Sequence, residues 1–147
     1  MKNKIRVRAL AVLMALSLFT GMMGSASAID VSPKASDYLT YYWASAYTGT
    51  NSSVIIYFDV DATGYMDLVG ASYIVIQRND SGVWKNVAAY LGSTSNGMLA
   101  ANTYSHVGSF TYNGTSGKQY RALVTVYACD AYGSDSRTVT TNSITAQ

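Results

Sequence analysis

Ser53-Val54-Ile55-Ile56-Tyr57-Phe58-Asp59-Val60-Asp61 is the stretch that decides the fold. In an extended chain successive side chains point to opposite sides. Val54, Ile56, Phe58 and Val60 therefore share one face, and Ile55, Tyr57, Asp59 and Asp61 share the other. A wholly apolar face backed by a mixed one is the pattern of a strand with one side on a core. Branched and aromatic residues at nearly every position suit a pleated, half-buried surface.

The same pattern continues outward in both directions. Tyr38–Tyr47 reads as a strand ended by Thr48-Gly49-Thr50-Asn51-Ser52. On the other side, Ala62-Thr63-Gly64 predicts a turn and Met66–Val69 a short strand or connection. Ser72–Gln77 is apolar on both faces and reads as a central strand. Asn79-Asp80-Ser81-Gly82 is a turn signal, with Trp84–Leu91 as the returning hairpin partner. Gly92–Asn102 reads as a polar loop and His106–Tyr112 as a strand closed by Asn113-Gly114-Thr115-Ser116-Gly117. Tyr120–Cys129 is a long strand, Tyr132-Gly133-Ser134 a turn, and Arg137–Ile144 a last strand. Seven to eight strands with short connections, and no helical periodicity after Ala28, predict an all-β protein: a single antiparallel β-sandwich over residues 37–147.

The N-terminus carries a different message. Lys2, Lys4, Arg6 and Arg8 precede an apolar run from Ala9 to Phe19, and the small-residue triplet Ala26-Ser27-Ala28 follows. That is the layout of a cleaved signal helix, residues 1–28, with Ala26 and Ala28 marking the cleavage site. The apolar run is shorter than the ~20 residues that span a bilayer. No lipid-accepting cysteine follows it and no apolar tail closes the chain, so no stable membrane anchor is expected. Residues 29–36 read as a flexible leader. The expected location is extracellular.

Removing residues 1–28 leaves six basic residues against eight aspartates, a formal charge of −2 in place of +2. Nucleic acid is therefore not an expected partner. Cys129 is the only cysteine, which excludes an intramolecular disulfide and cysteine-based zinc sites.

Two stretches carry a resemblance. Gly117-Lys118-Gln119-Tyr120-Arg121-Ala122-Leu123-Val124-Thr125-Val126-Tyr127-Ala128-Cys129-Asp130-Ala131-Tyr132-Gly133-Ser134-Asp135-Ser136 resembles the penultimate strand and last turn of fibronectin type III and related immunoglobulin-like domains. The resemblance makes Tyr120 a tyrosine corner, its hydroxyl bonding back to upstream backbone. Tyr73–Val87 looks like the middle hairpin of bacterial fibronectin type III-like domains, with Trp84 packing back over it. The early strand lacks the core tryptophan usual in that family, and Ala62–Ala71 and Gly92–Asn102 exceed its norm, so the likeness implies the sandwich architecture alone. The chain after Ala28 is also similar to a group of small secreted proteins of Gram-positive bacteria, in phrases such as Tyr57-Phe58-Asp59-Val60 and Gly133-Ser134-Asp135-Ser136. No activity comes with that likeness.

Catalysis finds little support. There is one histidine, His106, and no glutamate, and nothing in the spacing of Cys129 and His106 brings a nucleophile to a base. Asp59, Asp61 and Asp67 follow the first half of a calcium-loop spacing, but the twelfth position is Gly70, where a bidentate carboxylate is needed. No metal and no cofactor is expected. All 13 tyrosines follow the signal segment, more than one small core can hide. Tyr57, Tyr73, Tyr127 and Tyr132 are the candidates for an exposed aromatic face. Flat rings beside Asn, Asp and Ser suit sugar rings, which offer C–H faces and hydroxyls. The expectation is a secreted, non-catalytic binding module for a glycan or cell-surface polymer. The alternatives are a protein-interaction or self-assembly module using a sheet edge, and a secreted toxin or antimicrobial protein, for which the low positive charge is less suited.

Overall fold

The computed structural model describes residues 36–147; the signal segment 1–28 and the leader up to residue 35 lie outside the described residues. The described residues form β1 (Leu39–Thr48), β2 (Ser53–Asp80), β3 (Val83–Leu91), β4 (Leu99–Asn113), β5 (Gln119–Asp130), β6 (Gly133–Thr140) and β7 (Ile144–Thr145), with no helix among them. All pairings are antiparallel. The order is β1-β2-β5-β6, with β3 and β4 also paired to β2, and β7 to β5.

The central finding is the length of β2. The stretches Ser53–Asp61, Met66–Val69 and Ser72–Gln77 are one strand of 28 residues, not three elements. Ala62-Thr63-Gly64 does not reverse the chain; it bends it. Small residues serve a bend as well as a reversal. The first half of β2 lies between β1 and β4, and the second between β5 and β3. Ladder shifts between Asp61 and Met66, and between Ala71 and Tyr73, mark where the partners change. At Gly70 the strand pairs with Leu99 of β4 and with Tyr127 of β5. Gly70 has φ 140, and a Cβ there would overlap the Met98 carbonyl, so only glycine fits this crossing.

The sheet curls round one core. Val54, Ile56, Phe58 and Val60 meet Ile74 and Ile76 from the far half of β2, and Ala122, Val124, Val126 and Ala128 from β5, all fully buried. Ala44 and Ala46 bring β1 close, because their side chains are small. Tyr120 is 1% exposed, and its hydroxyl accepts the Thr115 N–H at 2.9 Å. A buried phenol needs such a partner, and the strand end supplies it.

Curling brings β1 against the segment that follows β6. Asn142 acts there as a substitute strand. Its Oδ1 accepts the Ala46 N–H at 2.9 Å and the Ser45 hydroxyl at 2.6 Å, and its Nδ2 donates to the Ala46 carbonyl at 2.9 Å. Thr141, 5% exposed, ties this segment to β5: its N–H donates to the Ala122 carbonyl, and its Oγ1 accepts the Ala122 N–H. Beyond it the Thr48 hydroxyl donates to the Thr145 carbonyl.

Other boundaries move as well. The expected loop Gly92–Asn102 gives its last residues to β4, which starts at Leu99, and Asn96 organises the remainder by accepting the Ser93 and Met98 N–H groups. β6 begins at Gly133, one residue into the expected turn, and stops at Thr140, leaving Ile144–Thr145 as a separate β7. The β2–β3 turn is of the hairpin type that needs two left-handed residues, Ser81 (φ 56) and Gly82 (φ 90). The Asn79 side chain closes it by accepting the Gly82 N–H.

Candidate functional site

Alternation in three neighbouring strands builds an outward face on the first half of the sheet. In β1, Ala44 and Ala46 point inward, so Trp43, Ser45 and Tyr47 point out. The ladder then sets them in rows. Trp43, Asp59 and Val107 form one row; Ser45, Tyr57 and Ser109 the next; Tyr47, Ile55 and Thr111 the third. Tyr41, Asp61 and Ser105 form a fourth row beside Trp43. Directly opposed residues sit about 5 Å apart at Cβ.

The rows differ in bulk, and the difference makes a hollow. Ser45 and Ser109 flank Tyr57 with almost nothing, while Trp43, Val107 and Tyr47 stand up on either side. The result is an open cleft of about 530 Å³ lined by Trp43, Tyr47, Ile55, Tyr57, Phe58, Asp59 and Val107. Tyr47 and Tyr57 meet edge to face, centroids 5.5 Å apart and planes at 82°. That T-shaped contact holds the two rings at a set angle to each other. Trp43, Tyr47 and Tyr57 are each between 41% and 48% exposed, high for residues of their size on a strand. The Asp59 carboxylate has neither an ion pair nor a hydrogen bond among the described residues.

The four tyrosines expected to share a face are placed apart. Tyr57 lines the cleft. Tyr73 lies on the second half of β2, between Leu91 of β3 and Thr125 of β5. Tyr127 is half-buried between Gly70 and Ser136; the Cys129 thiol beside it and its burial push its phenol up. Tyr132 stands alone in the β5–β6 turn, 93% exposed. What sequence reasoning missed is that Tyr57's companions are Trp43 and Tyr47. A period-two run of Tyr41, Trp43 and Tyr47 in the first strand was the available signal.

The Trp84 ring meets a residue two strands away. The Arg121 guanidinium lies 4.4 Å from the ring centroid. Arg121 Nε also donates to Gln77 Oε1, whose Nε2 donates to Asn86, both at 2.8 Å. Polar groups that cross three strands and satisfy one another leave little to offer a ligand.

Asp59, Asp61 and Asp67 lie along one extended strand, which spreads carboxylates out instead of wrapping them round a cation. Among the described residues no group of three His, Cys, Asp or Glu could hold a metal ion. The His106 Nε2–H donates to the Gly97 carbonyl at 2.8 Å, and the ring lies against Phe58. Compared with known proteins, the chain matches no family model, no curated protein and no solved structure.

Proposed function

We propose that this is a secreted, non-catalytic module that binds a glycan or cell-surface polymer in the cleft on the outer face of β1, β2 and β4. The observation that carries it is the cleft itself: three half-exposed aromatic rings, two of them packed edge to face, sharing one cleft with an unpaired carboxylate. Sugar C–H faces stack on such rings, and a carboxylate accepts from sugar hydroxyls. A strand platform holds the rings in place before binding, which limits the ordering penalty.

We also read the curled sheet as a fibronectin type III-like sandwich. The pairings support it: β1, the first half of β2 and β4 make one layer, while β3, the second half of β2, β5 and β6 make the other. The Tyr120 hydroxyl bond to upstream backbone supports it too.

The test is a calorimetric and fluorescence titration against a panel of oligosaccharides and cell-wall polymers. A binder should quench Trp43, and Trp43→Ala should weaken it at least tenfold while Tyr132→Ala leaves it unchanged. Absence of binding by every member at millimolar concentration sinks the proposal. One observation favours self-assembly instead: among the described residues β4 pairs only with β2, and it carries no Lys or Pro to guard its other edge. Concentration-dependent oligomers that Val107→Lys abolishes, without sugar binding, would support that alternative.

A further inference from the structure

We infer that the polymer taken by the cleft is cationic, with sugars that carry protonated amino groups; this rests on the glycan-binding reading above. Charge on the described domain is sharply divided. Its basic residues, Arg78, Lys85, Lys118, Arg121 and Arg137, all lie on the far half of β2, on β3, β5 and β6, or in the turn before β5. β1, the first half of β2 and β4 carry none, yet Asp59, Asp61 and Asp67 are there.

The acids of the two halves are also treated differently: in the far half Asp130 has no ion pair among the described residues but is satisfied by the Tyr132 and Gly133 N–H groups, and the other two meet cations. Asp80 is paired with Arg78 at 2.8 Å and approached by Lys85 at 3.7 Å, and Asp135 is paired with Arg137. Asp59 and Asp61 occupy adjacent rows of the cleft face with no cation among the described residues near enough to pair. Their charge is left for something else. An anionic polymer would meet repulsion here with nothing to offset it. A neutral sugar would use the rings and hydrogen-bond the carboxylate, but leave its charge without a counterion.

An ammonium group uses both. Trp43 and Asp59 are directly opposed across the β1–β2 ladder, so a cation lying on the indole face is within reach of the carboxylate. Tyr57, one row on, offers a second ring. An exposed ion pair is worth up to about fivefold in affinity, and a cation–aromatic contact about twofold to thirtyfold. Together they give an amine-bearing sugar a preference of tenfold or more over its acetylated counterpart.

The experiment compares a glucosamine hexamer with its fully N-acetylated counterpart by calorimetry, under conditions where the free amines are protonated. The amine form should bind at least tenfold more tightly, and salt should narrow the gap. Asp59→Asn, which keeps the side chain's size and one acceptor oxygen, should narrow it about fivefold by weakening the amine form more than the acetylated one. Equal affinities, or tighter binding of the acetylated hexamer, overturn the inference and leave glycan binding intact. So does failure of both hexamers when other neutral sugars bind. Amine-form binding untouched by both Trp43→Ala and Asp59→Asn also overturns it, because the cleft is then not the site. If no sugar binds at all, both readings fall together.

Discussion

Replacing Asn142 with alanine should open the seam that closes the sheet. Ala46 is 1% exposed, and both its N–H and its carbonyl use the Asn142 amide. Each net hydrogen bond is worth about 1 kcal/mol, and a buried group left unpaired costs more. Asn142 itself is exposed, so water can reach part of the vacated space. The exposed Ser45 hydroxyl will find water and adds little. The expected loss is about 2 kcal/mol, a large share of the 5–15 kcal/mol typical of a domain. For a domain of this size that lowers Tm by roughly 8 °C. Asn142→Asp keeps the acceptor and loses the donor, so it should fall between alanine and the native residue. Urea denaturation gives the energy, and amide hydrogen exchange at Ala46 gives the location. The same change loosens the strand that carries Trp43 and Tyr47, so ligand affinity should drop with it. A loss under about 0.5 kcal/mol, with Ala46 exchanging as slowly as before, would refute the account of how the sheet closes.

Three further outcomes are expected. Tyr120→Phe leaves the Thr115 N–H without its acceptor and should cost about 1 kcal/mol in denaturant unfolding, with no change in ligand affinity. Gly70→Ala forces a side chain into φ 140 and against the Met98 carbonyl, and should cost about 3 kcal/mol or more; a well-folded variant of native stability would contradict the crossing described at that residue. Asp80 is held below the ordinary carboxylate range chiefly by the Arg78 hydrogen bond, and Asp135 chiefly by that of Ser36. Both therefore bind protons less readily folded than unfolded. Their stabilisation is complete above about pH 4 and disappears as pH falls below it, so Asp80→Asn with Asp135→Asn should flatten the acid limb of a stability-against-pH curve.

The strands themselves were legible, because alternation is a local property. Val54 to Val60 and Tyr120 to Ala128 show it without help from the rest of the chain, and both sets are buried as their spacing requires. The Asn79–Gly82 turn was legible for the same reason: its residues fix their own backbone. The continuity of β2 was not, since Ala62-Thr63-Gly64 fits a bend and a reversal equally, and only the partners on either side decide between them. The site suffered from a related blindness. Tyr57 was visible as an outward aromatic, but its neighbours are set by ladder register with β1 and β4. Register is a relation between segments distant in sequence. Tyr73 and Tyr127 looked equivalent to Tyr57 by composition, and the curl of the sheet gave them different surroundings.

Because β2 serves both halves of the sheet as one ribbon, its bend cannot change length. Side-chain direction repeats every two residues, so one residue added or deleted between Ala62 and Ser72 would send Ile74 and Ile76 outward and draw Tyr73 and Val75 into their places. A one-residue insertion or deletion in this segment would turn over the second half of β2, whereas the exposed Ser81-Gly82 turn can lengthen with little penalty.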